Sequence, residues 1–169
     1  MIVYAQIQLF MGRSPLELDK QDLKILEILQ VNVRTTTEKL SEDVGLSTAS
    51  IQRRIKRLRD NKIITAEVAI VSPKSVGQTM TFIISVELRR ENVDCFNLFK
   101  SKVIKSNRIQ QCYYITGEAD FILIVTAKDM ADFDDFTKRL FFADNNVLHF
   151  KTSVVMGRTK VGLTLPLSL

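Results

Sequence analysis

The sequence is poor in the residues that usually build reactive sites. It holds two cysteines, Cys95 and Cys112, and a single histidine, His149. Two cysteines do not build a disulfide scaffold of the secreted kind. No Cys-x-x-Cys or His-x-x-x-His spacing occurs, so no structural zinc site is expected, and no cofactor either. Both thiols read as small packing residues, and His149 reads as a residue on a sheet face. Gly-x-Gly-x-x-Gly is absent, and Thr35-Thr36-Thr37 is a polar cap rather than a phosphate loop. No nucleophile stands with a base, so an enzyme is not expected. The acidic Asp132, Asp134 and Asp135 read as a helix surface without a converging basic partner. The apolar start from Met1 to Met11 is too short to span a bilayer and lacks the basic opening of a signal peptide. Residues 1–16 are read as an N-terminal extension, no membrane is expected, and a cytoplasmic location follows by default.

What is present is ordinary for a folded chain of 169 residues: 46% apolar and 25% charged. A formal net charge of +5 permits nucleic-acid binding, and the placement of that charge decides more than its size.

The first part has helical periodicity. Asp19 is a good N-cap with Asp22 three residues later, and Ile25, Leu26 and Leu29 follow at helical spacing. This predicts a helix over about 20–30. Thr35 or Thr36 caps a second over 37–43, and Gly45 supplies the left-handed terminator. Ser47 caps a third over 48–61, whose Ile51, Ile55 and Leu58 make one apolar stripe. Residues 17–62 thus read as one domain, and residues 63–78 as a linker or hinge strand leading through Ser72-Pro73 to Gly77.

Residues 79–169 alternate strands and helices. Met80, Phe82, Ile84, Val86 and Leu88 share one face of a strand. Asn92 caps a helix carrying Phe96, Phe99 and Val103. Strands over 109–116 and 121–127 meet at Gly117-Glu118, and Asp129 caps a helix with Phe133, Phe136, Leu140 and Phe141 inside. Val147–Met156 is a last long strand, with one more expected over Val161–Leu167. The order predicts a ferredoxin-like βαββαβ arrangement, with helices on one face of the sheet. Phe121-Ile122-Leu123-Ile124-Val125 is nevertheless apolar on both faces, which calls for a cover on the other side. A second copy of the chain in a symmetric dimer is the simplest cover.

The clearest functional signal lies on the third helix. Between Ser47 and Lys62 stand Arg53, Arg54, Lys56, Arg57, Arg59 and Lys62 against Asp60 alone. Ala49, Gln52, Arg53 and Lys56 fall opposite the apolar stripe, bordered by Ser50 and Arg57. Arg reads guanine, Gln reads adenine, and further cations engage phosphates. With the preceding helix and the Gly45-Leu46-Ser47 turn, this is a helix-turn-helix directed at double-stranded DNA. The residues assigned to contact are Ser47, Thr48, Ala49, Ser50, Gln52, Arg53, Arg54, Lys56 and Arg57. The Thr116-Gly117-Glu118-Ala119-Asp120 run reads as a hairpin turn whose amides and acids can also face a small ligand.

Several stretches resemble the Lrp/AsnC ("feast/famine") family of transcription regulators. They are Leu18-Asp19-Lys20-Gln21-Asp22-Leu23-Lys24-Ile25-Leu26, then Arg34, Leu40, Val44-Gly45-Leu46-Ser47, Arg53-Arg54, Lys56-Arg57-Leu58 and Ile63-Ile64, and finally Thr116-Gly117-Glu118, Asp120-Phe121 and Thr152-Ser153-Val154-Val155-Met156. The resemblance implies an α+β chain: an N-terminal winged helix-turn-helix joined to a C-terminal ferredoxin-like RAM domain. It implies operator binding by a homodimer that assembles into tetramers or octamers. It also implies an amino acid or related metabolite bound at dimer–dimer contacts near Thr116, Gly117, Glu118, Ala119, Asp120, Thr152 and Ser153. The family commonly has a bulkier residue where Ala119 stands. A reading from another class is a metabolite-sensing module that regulates a protein partner.

Overall fold

The computed structural model describes residues 16–89 and 93–167. The extension at residues 1–16, apart from its last residue, and the expected cap Asn92 lie outside the described residues. The chain divides into two compact units. One runs to Ala69 and takes the chain back from Gly162 onward; the other runs from Ile70 to Val161.

The first unit is three helices, α1 (Lys20–Val31), α2 (Thr37–Val44) and α3 (Thr48–Asp60). Each starts where a side chain satisfies the backbone N–H groups that a helix leaves unpaired. Asp19 and Asp22 form a reciprocal capping box. Thr36 accepts from Lys39 N, and Ser47 accepts from Ser50 N. Thr35 donates instead to the Asn32 carbonyl, which leaves the capping role to its neighbour. Gly45 ends α2 at φ 78°, a left-handed conformation that a side chain would strain. Ile25, Leu26, Leu40, Val44, Ile51 and Leu58 form the buried core. Each such side chain contributes about 1.5–3 kcal/mol by leaving water.

The second unit is β1 (Met80–Leu88), α4 (Val93–Lys105), β2 (Ile109–Tyr114), β3 (Phe121–Ala127), α5 (Met130–Thr137) and β4 (Val147–Val154). The strands run β2-β3-β1-β4, every neighbour antiparallel, which is the ferredoxin-like order. β1 alternates from Phe82 to Leu88 and β3 from Phe121 to Val125, after which Thr126 and Ala127 are both buried. Phe82, Ile84, Val86 and Leu88 pack with Phe121, Leu123, Val125 and Ala127 against Phe99, Val103, Phe133 and Phe136. Phe82 and Phe133 stack with ring centroids 3.6 Å apart. On the opposite face Ile83 pairs with Ile124, and Ile83 remains 40% exposed.

Some expectations need correcting. α5 stops at Thr137 and a π-helical turn over Lys138–Phe142 buries Leu140 and Phe141. Asp132 and Asp134 do have basic partners: Arg108 reaches Asp132 from the chain before β2, and Lys138 reaches Asp134 one turn on. The hinge segment forms no strand from Ile63 to Val71; a short 3₁₀ turn at Lys74–Val76 closes on Gly77 at φ 77°. Val161–Leu167 is not a strand either. Instead, Gln30 of α1 donates its side-chain amide to the Leu165 carbonyl and accepts from the Leu165 N–H. Leu167 then packs against the helical core.

Candidate functional site

α3 is held by its apolar stripe, with Ile51 and Leu58 fully buried and Ile55 packed beside them. That fixes which residues face outward. Thr48, Ala49, Gln52, Arg53 and Lys56 are exposed, with Ser47 at the tip and Ser50 half-buried. The face is short-tipped at its start and basic beyond it.

The charges on this helix do not all point outward. Arg54 Nη1 lies 2.7 Å from Asp22 Oδ1 and 2.8 Å from Asp19 Oδ2. Arg57 Nη2 donates to Asp22 Oδ2. Asp22 itself is fully buried. The Asp22 N–H, opposed by partial burial and then aided by Arg54, holds the Asp19 carboxyl below the usual carboxylate range. Arg54 is held still more firmly in its charged form by Asp22 and then Asp19. Arg59 Nη2 lies 2.7 Å from Glu67. Three of the six cations are therefore paired within the unit. Arg53, Lys56 and Lys62 have no acidic partner among the described residues. Of the residues assigned to DNA contact, Arg54 and Arg57 are the two tied back to α1.

Sequence reasoning passed over Asp22 as more than a cap. The signal was there: a carboxylate on the buried side of α1, in line with Ile25, Leu26 and Leu29, demands a charged partner.

The residues assigned to a small ligand occupy separate places within one chain. Thr116, Gly117 and Glu118 are exposed in the turn between β2 and β3, and Gly117 has φ 133°. Ala119 is half-buried. Asp120 is buried; its Oδ2 accepts from Leu88 N, and its own N–H donates to the Val86 carbonyl. Thr152 sits in β4 opposite Ile84, and Ser153 opposite Ile83. The two therefore face opposite sides of the sheet.

A three-helix unit with an exposed basic third helix, followed by a ferredoxin-like sheet, defines a helix-turn-helix regulator with an appended α+β unit. Residues 18–59 match the AsnC-type helix-turn-helix domain, and residues 81–165 match the Lrp/AsnC ligand binding domain. An HTH-type transcriptional regulator of Sinorhizobium fredii is 46% identical over 154 residues, covering 91% of each chain. One from Haemophilus influenzae is 37% identical over 161 residues, covering 95% of this chain and 96% of that one. A transcriptional regulator of Neisseria meningitidis, solved in complex with L-Met, is 35% identical, with TM-score 0.84 over 89% of this chain and 97% of that one. The chain belongs to the Lrp/AsnC family of transcriptional regulators.

Proposed function

We propose that the chain binds operator DNA through the outward face of α3, as a homodimer that assembles into a tetramer or octamer, and that an amino acid or related metabolite modulates it. In this reading residues 17–62 read DNA, residues 63–78 link, residues 79–169 oligomerise and take the effector, and the protein works in the cytoplasm. The observation that carries the DNA half is the exposed set Gln52, Arg53 and Lys56, opposite a fully buried Ile51 and Leu58. With Ser47, Thr48, Ala49 and Ser50 at its tip, this face can lie against base edges while the cations meet phosphates. Dimerisation is supported by Ile83, Ile122 and Ile124 on the sheet face opposite the core helices.

The effector half rests on the family's ligand binding domain model, which matches residues 81–165, and on the Neisseria relative solved with L-Met. Thr116 to Asp120 and Thr152-Ser153 are proposed to complete a site only when a second copy contributes. A ligand then shifts the assembly by binding one state more tightly than another.

Titrating Arg53→Ala and Lys56→Ala against duplex DNA at several salt concentrations tests the first half. Each variant should bind more weakly while keeping its oligomeric state. Unchanged binding at moderate salt would remove the α3 assignment. A thermal-shift series with the twenty amino acids tests the second, because binding to the native state raises the melting temperature by mass action.

A further inference from the structure

The buried carboxylate of Asp22 is an unusual object at the back of a DNA-reading helix. It receives Arg54 Nη1 at 2.7 Å, Arg57 Nη2, and the Asp19 backbone N–H at 3.3 Å. Asp19 adds a second carboxylate to Arg54, at 2.9 and 2.8 Å. Both guanidiniums come from α3 and both carboxylates from the start of α1.

We propose that Asp22 is a specificity-determining positioning residue, which withholds Arg54 and Arg57 from the DNA backbone and fixes the roll of α3 against α1. The inference rests on the DNA-binding reading above. Phosphate attraction supplies essentially all of non-specific binding, whereas base contacts supply discrimination. A recognition helix with six free cations would adhere to any duplex. Pairing two of them with Asp22 lowers the sequence-independent part of binding and leaves Gln52 and Arg53 outside to read bases. The same pairing sets the helix orientation, because a buried carboxylate bonded to two guanidiniums at positions 54 and 57 admits one roll angle. Holding a register is the best-attested use of a buried ion pair, whose net contribution to stability is small.

The test uses the full chain and two duplexes, one selected from a random pool for tight binding and one of random sequence. Asp22→Asn removes the charge that holds both arginines. In Asp22→Asn that stays folded by circular dichroism, random-duplex affinity should rise several-fold at low salt. Its log–log salt slope should steepen by about 1–2, each added phosphate contact contributing about 0.9. The ratio of selected to random affinity should fall. A folded Asp22→Asn with unchanged slope and ratio would overturn the proposal.

The triple variant Asp22→Leu/Arg54→Met/Arg57→Met keeps the volume without charge and serves where Asp22→Asn unfolds. Since the two arginines are withheld in the wild type, the triple variant should keep the wild-type salt slope. A slope flatter by about 2 would show that they already contact phosphates, and would equally overturn it. Wild-type protein that binds neither duplex would sink the DNA-binding reading itself and the proposal with it.

Discussion

The Leu88 backbone N–H donates to Asp120 Oδ2 at 2.8 Å, so the last residue of the β2–β3 turn is spent on the end of β1. Asp120 is buried, while Glu118 two residues earlier is exposed. Two acids in one short motif thus have different physical work. Asp120→Ala should cost roughly 1–3 kcal/mol, the penalty for leaving a buried N–H unpaired. Glu118→Ala should stay within about 0.5 kcal/mol, as for an exposed site. Urea melts of the two variants check this; equal losses would contradict the distinction.

Gln52 is exposed on α3 and Lys56 lies one turn further along the same face. Their losses should differ in kind. Gln52→Ala should cost about 1–3 kcal/mol in discrimination at one base pair and leave the salt slope alone. Lys56→Ala should weaken binding to all sequences alike and flatten the slope by about 0.9. Binding titrations on a set of single-base operator variants separate the two effects.

Ile83 is 40% exposed and pairs with the half-buried Ile124 on the sheet face opposite the core. A charge there would have no place in an apolar dimer contact but would leave the core beneath intact. Ile83→Glu should therefore sediment as a monomer with an unchanged far-ultraviolet spectrum. A dimer of wild-type affinity would exclude this face as the interface.

Asp144 is buried, with a side chain 3% exposed and Lys102 Nζ at 2.7 Å. Burial alone would raise its pKa, but Lys102 and the Asn146 N–H hold the carboxyl below its ordinary value. A group lowered on folding stabilises the native state fully above its unfolded pKa. That contribution is lost as pH falls through the folded value. Asp144→Asn should thus lower stability at neutral pH by roughly 2 kcal/mol and show a shallower decline below the usual carboxylate pKa. Parallel acid slopes for variant and wild type would assign the acid sensitivity elsewhere.

The parts of the fold legible in the sequence were those governed by neighbours along the chain. Asp19, Thr36 and Ser47 announce helices through bonds spanning three residues. The alternation from Met80 to Leu88 announces a strand with one buried face. What escaped was governed by distant partners. The ion pairs of Arg54 and Arg57 were not legible because Asp22, 32 and 35 residues away, is a cap by local rules. Asp132 read as unpartnered because Arg108 reaches it from 24 residues upstream. Val161 to Leu167 alternates like a strand, yet its destination is Gln30, on a helix 135 residues earlier. The outward face of α3 was legible because a stripe of Ile51, Ile55 and Leu58 leaves only one side to water.

The clamp of Gln30 on Leu165 changes the connectivity of the molecule. By order along the chain, a helical unit is followed by a sheet unit, like beads on a string. By contact, the chain leaves the helical unit after Ala69, builds the sheet, and comes back at Gly162. The sheet unit is a guest inserted into a helical host and joined to it by two covalent strands. Cutting one joint leaves the other in place, and anything that displaces Leu165 acts first on α1, in the host that carries α3.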